Sequence, residues 1–411
     1  MQWLKEIPSH WEVRKMKYCF SERSEKNHPD EPILCATQSQ GVIPQSMYAN
    51  RVVVVNKGFE GLKLVKKGDF VISLRSFEGG IEYAYYQGII SAAYTILQPN
   101  KDSFSNYWKV LFKSHPFIQL LQTCVTGIRE GQNINYSMLC RSFLPLPPLA
   151  EQEKIVSYLE DKTSKIDAYV ADKEKEIELL QELKQKTIAD AVTKGLNPDA
   201  KMKDSGISWI GEIPEHWEVK QLRSFLTLFT EKGHGDAQLL SVTREQGVIE
   251  RDKDDKDENH NFVPDDLSGY KYIEKGDFAI NKMKAWQGSY AVSEYNGIVS
   301  PAYFTCKLQG VNKDFFSKAI RSKIYVPFFT QYSKGIRVGQ WDLNPNALKS
   351  IPFFLPPSDE QQSIVSYIEE KCEKIDKLAS ELQSEIDYLK EYKQRLIADC
   401  VTGQVNVQNE I

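Results

Sequence analysis

The chain has 411 residues and a mass of 47.2 kDa; 41% are hydrophobic, 26% charged and 11% aromatic, and the formal charge is −4. That length asks for two or three folding units, and the apolar content supplies real cores, which excludes a disordered chain. No apolar run approaches the roughly 18 residues of a membrane-spanning helix, and the acidic balance with a pI of about 6.0 gives no overall basic footprint for nucleic acid.

In chain order, residues 1–6 lack the apolar core of a signal peptide, so residence in the cytoplasm is expected. Residues 1–148 are rich in glycine, aromatics and β-branched runs. Segments 51–56, 70–74 and 88–97 read as short strands and 106–121 as a helix, which predicts a compact α+β domain. Pro147-Pro148 closes it, since proline cannot extend the following helix backwards. Residues 149–195 then form a long helix whose apolar positions Ile155, Leu159, Ile166, Val170, Ile177 and Leu180 are spaced as in a coiled-coil seam. A linker, 196–208, leads to a second α+β domain, 209–357. A second long helix, 358–403, carries the seam Ile364, Ile368, Ile375, Leu382, Ile386 and Leu389, and residues 404–411 are a tail.

The second half repeats the first. Glu6-Ile7-Pro8-Ser9-His10-Trp11-Glu12-Val13 recurs as Glu212-Ile213-Pro214-Glu215-His216-Trp217-Glu218-Val219, and Gly68-Asp69-Phe70 as Gly276-Asp277-Phe278. Gly127-Ile128-Arg129 returns as Gly335-Ile336-Arg337, and Pro147-Pro148 with Glu151-Gln152 as Pro356-Pro357 with Glu360-Gln361. Each half is therefore one complete structural unit. At 1.5 Å per residue each helix is a rod of about 67 Å, which must bury its apolar stripe against a partner, most simply its own duplicate. A globule of ~150 residues has a radius of gyration near 15 Å and cannot carry the chain back along such a rod. An antiparallel pair is expected, with one α+β domain at each end and a pseudo-two-fold axis between them.

Charge is unevenly distributed: +5 over residues 1–148, −3 over 149–201, zero over 202–357 and −6 over 358–411. A phosphate-binding surface would lie on the α+β domains, and the acidic rods would face solvent or a protein partner. The acidic run 251–258 reads as a solvated hairpin tip.

Catalytic chemistry finds little support. Pro198-Asp199 followed by Glu218-Val219-Lys220 has the form of a Mg²⁺ nuclease motif, but Asp199 lies in a linker and the duplicate Glu12-Val13-Arg14 has no upstream partner. Asp255, Asp257 and Asn259 have EF-like spacing, yet His260 stands where glycine is required. Neither a G-x-x-x-x-G-K-[ST] nor a G-x-G-x-x-G loop occurs. The seven cysteines contain no C-x-x-C pair and suit reduced, individually buried thiols. His10 and His216 read as packing residues beside Trp11 and Trp217. No metal, cofactor or catalytic residue is expected in this chain.

Recognition residues on glycine-punctuated loops remain. Arg129, Gln132, Asn133 and Asn135 in one half, and Arg337, Gln340, Trp341, Asn344 and Asn346 in the other, occupy equivalent loops. A second pair follows the Gly-Asp-Phe strands: Arg75, Ser76 and Phe77, against Lys282, Lys284, Trp286 and Gln287. Arg reads guanine and Asn or Gln reads adenine by bidentate hydrogen bonds in the major groove. The frame repeats while these side chains change, as two copies of one reader with different targets require.

The combination of Trp209 through Val219, Leu144-Pro145-Leu146-Pro147-Pro148-Leu149-Ala150-Glu151-Gln152, and the partner run 354–361 resembles the specificity subunit of type I restriction-modification systems, over essentially the whole chain. The resemblance implies two target recognition domains, each reading one half of a split site in double-stranded DNA, spaced by antiparallel helices. It also implies that the helices bind two methyltransferase subunits carrying S-adenosylmethionine, and that separate motor-nuclease subunits supply ATP- and Mg²⁺-dependent translocation and cleavage. Ser358-Asp359 stands where the first half has Leu149-Ala150, a departure at the helix start. The rival readings are a coiled-coil interaction scaffold with two protein-binding domains, and a stand-alone nuclease.

Overall fold

In the computed structural model the chain is α+β, and the described residues are 3–4, 6–49, 58–100, 104–127, 133–252, 264, 266–335 and 341–407. It divides into two compact units, one made of Met1–Glu174 with Gln383–Ile411, the other of Lys175–Leu382. Both divisions fall within the long helices, Leu149–Lys194 and Ser358–Val401.

Each unit is built on a four-stranded antiparallel sheet. In the first its order is Phe20–Arg23, Thr95–Pro99, Phe70–Ile72, Glu82–Tyr83; in the second, Leu226–Phe229, Phe304–Leu308, Phe278–Ile280, Tyr290–Val292. The Gly-Asp-Phe repeat opens the third strand in that order. Gly68 and Gly276 take φ of 95° and 89°, a left-handed turn that glycine adopts without steric cost. The aspartates then staple the turn: Lys66 N donates to Asp69 Oδ2 (2.8 Å) and Glu274 N to Asp277 Oδ2 (2.9 Å). A cation neutralises each buried carboxylate, Arg23 at 2.8 Å from Asp69 and Lys307 at 2.9 Å from Asp277. The two cations stand at different places in the sheet, on Phe20–Arg23 in one unit and on Phe304–Leu308 in the other.

One side of each sheet buries an aromatic core. In the first unit Phe20, Phe70, Trp108, Phe112 and Phe117 are all buried, with Phe112 at 4.7–5.9 Å from the other four ring centroids. The second uses Phe278, Phe316, Tyr325 and Phe353, with Tyr290 stacked on Phe329 at 3.7 Å. The helix expected over 106–121 is instead two, Ser105–Leu111 and His115–Thr123. Ser114 breaks the run: its hydroxyl donates to Leu111 O at 2.7 Å, and Pro116 fits only the first turn of a new helix. Segment 88–97 likewise splits into Gly88–Ile90 and Thr95–Pro99 around a turn, and the strand from Phe70 stops at Ile72. Segment 51–56 lies outside the described residues.

The long helices end where the sequence changes hand, at Lys194 before Gly195 (φ 70°) and at Val401 before Gly403 (φ 77°). Within the first unit they pair antiparallel: Asp167 meets Lys393 at 2.6 Å and Glu174 meets Lys390 at 3.1 Å, one number rising as the other falls. Within the second unit Lys184 meets Asp376 at 2.7 Å while Ile188 and Cys372 pack on the same core. Such exposed ion pairs contribute about 0–1 kcal/mol each, so the apolar stripe carries the pairing. Of the expected seam, Ile155, Leu159, Val170, Ile364, Ile368, Leu382 and Ile386 are buried, and Ile166, Ile177, Leu180, Ile375 and Leu389 are half-buried. Ile155, Leu159, Ile364 and Ile368 also belong to the α+β cores, which extends their role beyond helix pairing.

A repeated clamp ties each α+β core to the helix that follows it. Gln152 accepts from Phe104 N (3.0 Å) and donates to Pro147 O (2.8 Å); Gln361 accepts from Asn312 N (2.9 Å) and donates to Pro356 O (2.9 Å). Both glutamines are buried. Beside them Glu151 holds His10 at 2.8 Å and Glu360 holds His216 at 2.7 Å. The histidines are therefore half-exposed partners of the hinge carboxylates, a role that the local sequence does not announce. Trp217 donates its own Nε1 to Glu360 at 3.1 Å.

Candidate nucleic-acid interface

The loops singled out by sequence come together within each unit. In the second, Lys282 pairs with Asp342 at 3.0 Å, Leu343 N donates to Lys282 O at 3.1 Å, and the rings of Trp286 and Trp341 lie 5.2 Å apart. In the first, the helical turn Ser76–Gly79 lies against the short strand Asn133–Ile134. Arg129, Gln132, Arg337 and Gln340 lie outside the described residues.

Not every expected side chain is free to touch a ligand. Arg75 is 79% exposed, with Glu78 at 4.0 Å, and is available. Ser76 is buried, its Oγ accepting from Ser73 N at 2.8 Å, so it closes the turn. Phe77 packs on the core. Asn133 is exposed, whereas Asn135 and Asn344 cap the helices Tyr136–Leu139 and Pro345–Ser350 by accepting from Met138 N and Ala347 N. Asn346, Lys284 and Met283 are exposed; Lys282, Trp286, Gln287 and Trp341 are half-buried. Trp286 and Trp341 together form a partly exposed aromatic wall, with Trp286 Nε1 tied to Met283 O at 3.2 Å.

Sequence reasoning missed two further parts. One is a hairpin next to each of these loops, joining Leu34–Thr37 to Gly41–Pro44 and Leu240–Thr243 to Gly247–Glu250. Its signal was present as Thr37-x-x-Gln40-Gly41-Val42-Ile43 against Thr243-x-x-Gln246-Gly247-Val248-Ile249. The other is a cation from a neighbouring helix segment, Lys113 in one unit and Arg321 in the other. Lys113 Nζ donates to Glu82 Oε1 at 2.6 Å; burial pulls the Arg321 guanidinium below its ordinary value.

Glu82 is buried, and that burial raises its carboxyl to about 7 despite Lys113, while its Oε2 has no hydrogen-bond partner. Folding thus favours its neutral form. Stability from this group is fully present below about 4.5, its ordinary value, and is lost as pH rises through 7. Glu82→Gln is expected to flatten that fall in urea midpoints measured between pH 4.5 and 8; parallel profiles for variant and wild type would show that the carboxyl stays ionised throughout.

Among the described residues no group of three or more His, Cys, Asp or Glu gathers closely enough to hold a metal ion, and no helix is long and apolar enough to cross a membrane. Glu218 of the nuclease-like run pairs with Lys220 at 2.7 Å on an exposed strand, and Asp199 sits in a turn closed by Asn197. Residues 255–260 lie outside the described residues.

Residues 7–179 match the family described as the type I restriction modification DNA specificity domain. The chain is 24% identical over 336 residues to the EcoKI specificity subunit of Escherichia coli (strain K12), covering 76% of this chain and 68% of that protein. It is 24% identical over 428 residues to the putative MjaX specificity subunit of Methanocaldococcus jannaschii, covering 98% and 95%. Two solved structures share the fold. One comes from work on complex assembly and conformational transition of the type I R-M system (TM-score 0.66, 13% identity, 98% of this chain and 100% of that one). The other is the HsdS subunit from Thermoanaerobacter tengcongensis (TM-score 0.55, 14% identity, 98% and 99%).

Proposed function

We propose that this chain is a specificity subunit of the type I restriction-modification kind, reads a split DNA site with its two α+β halves and performs no chemistry itself. The observation that carries the reading is duplication with divergence. The two halves keep one strand order, one Gly-Asp-Phe staple and one hinge clamp, yet after the staple one frame exposes Arg75 and the other exposes Met283 and Lys284. A duplicated enzyme would keep its reactive groups; a duplicated reader of two sequences varies its contact residues.

In this reading S-adenosylmethionine, ATP and Mg²⁺ belong to partner subunits, and the long helices both set the spacer between half-sites and dock two methyltransferase subunits. Exposed apolar residues on the helices support the docking. Leu179 and Leu183, at 54% and 50% exposure, occupy the positions that Tyr388 and Tyr392, at 69% and 47%, fill in the repeat. A helix face kept apolar twice, one turn apart each time, against an acidic background fits two copies of one partner with basic surroundings.

Methylome sequencing of a host expressing the chain with its methyltransferase subunit tests the function. The expected result is a bipartite motif of which one half alone changes when residues 1–148 are replaced by those of a relative. No enriched motif, or a change in both halves, would count against it.

A further inference from the structure

Resting on that DNA-reading role, we infer that the hairpin tips at residues 38–40 and 244–246 are a further specificity-determining element, each entering the major groove and contacting base edges. Both tips are built alike. Thr37 Oγ1 donates to Gly41 O at 3.0 Å and accepts from Gln40 N at 3.0 Å; Thr243 Oγ1 repeats both bonds at 3.1 Å with Gly247 O and Gln246 N. Gly41 and Gly247, at φ 73° and 78°, close the turns. Each hairpin is a two-stranded ribbon, a shape the major groove, about 12 Å wide, admits.

One half-buried cation fastens each tip to the loop after the third sheet strand, and it does so through backbone oxygens. Lys113 Nζ donates to Gln38 O (3.2 Å) and Gly79 O (2.8 Å). Arg321 donates to Arg244 O (3.0 Å) and Glu245 O (2.8 Å), and on the other side to Gly288 O (2.9 Å) and Tyr290 O (3.3 Å). A clamp on carbonyls places no demand on the side chains it holds. Those side chains are exposed in both copies and differ between them: Gln38 and Ser39 in one, Arg244 and Glu245 in the other, with Gln40 and Gln246 common.

Chemistry separates bases from phosphate as the target. A phosphate-facing tip would repel Glu245, whereas at a base edge a carboxylate accepts from the cytosine amine, Arg pairs with guanine and Gln with adenine. Glu245 already carries Arg244 at 3.1 Å, an acceptor and a donor side by side. Lys113 and Arg321 spend their donors on the frame and act as positioning residues.

The test uses the full chain with its methyltransferase subunit and a duplex library randomised across the site. Replacing Gln38→Arg together with Ser39→Glu is expected to shift preference roughly ten- to hundred-fold at one or two base pairs of a single half-site, leaving the other half and the spacer unchanged. Lys113→Met should blur preference at the same base pairs without changing the salt slope, and Lys113→Arg should restore it. If wild type enriches a split site and the tip variants enrich the same one, or bind all sequences equally more weakly with a shallower salt slope, the inference is overturned. If wild type enriches no sequence, the DNA-reading role itself falls with it.

Discussion

Phe112→Ala is expected to destabilise the first unit by about 3–5 kcal/mol, a large part of the 5–15 kcal/mol that holds a typical domain together. The ring is fully buried and touches Phe20, Phe70, Trp108 and Phe117, so no neighbour can move into the space without leaving its own edge-to-face or stacked contact. The repeat gives an internal control, because the equivalent core of the second unit contains no atom of Phe112. Hydrogen exchange should therefore lose protection over Ser105–Leu111 and His115–Thr123 and keep it over Lys313–Arg321. Equal loss in both would mean that the units open as one block.

The second large effect is expected at the hinge. Gln361→Leu fits the same space but leaves Asn312 N and Pro356 O buried without partners, at about 1–3 kcal/mol for each orphaned group. Gln152→Leu does the same to Phe104 N and Pro147 O. Urea unfolding should register a loss of roughly 2–5 kcal/mol, and the Asn312 amide should exchange early. Base preference should persist, since the clamp lies apart in sequence from the reading loops. A leucine variant as stable as wild type would mean that water replaces the amide.

Much of the architecture was legible because it is written in local periodicity. The seam residues follow the 3.6-residue helical repeat, but the depth of their burial also depends on the α+β cores that Ile155, Leu159, Ile364 and Ile368 join. The Gly-Asp-Phe staple was visible as a motif, but its partners Arg23 and Lys307 lie on different strands and follow no shared pattern. Glu151-Gln152 was recognisable, yet what it grips lies 48 residues away at Phe104 and 141 away at His10. The break at Ser114 was hidden by apolar residues that suit one helix as well as two. Ser76, Asn135 and Asn344 have the side chains of readers and the duties of turn and cap residues; only their hydrogen bonds distinguish the two. The hairpin tips escaped because glutamine, serine and glycine carry no strong pattern until the cation behind them is seen.

The first unit is closed by a stretch of chain that follows the whole of the second. Leu396, Cys400, Val401 and Val407 share its core, and the Tyr107 hydroxyl donates to Val401 O across 294 residues of sequence. During synthesis the second unit, contiguous from 175 to 382, leaves the ribosome with all its parts. The half that is translated first cannot complete its core until residues 396–407 have followed the second unit, so a chain cut between the two carries one finished reader and one left unclosed.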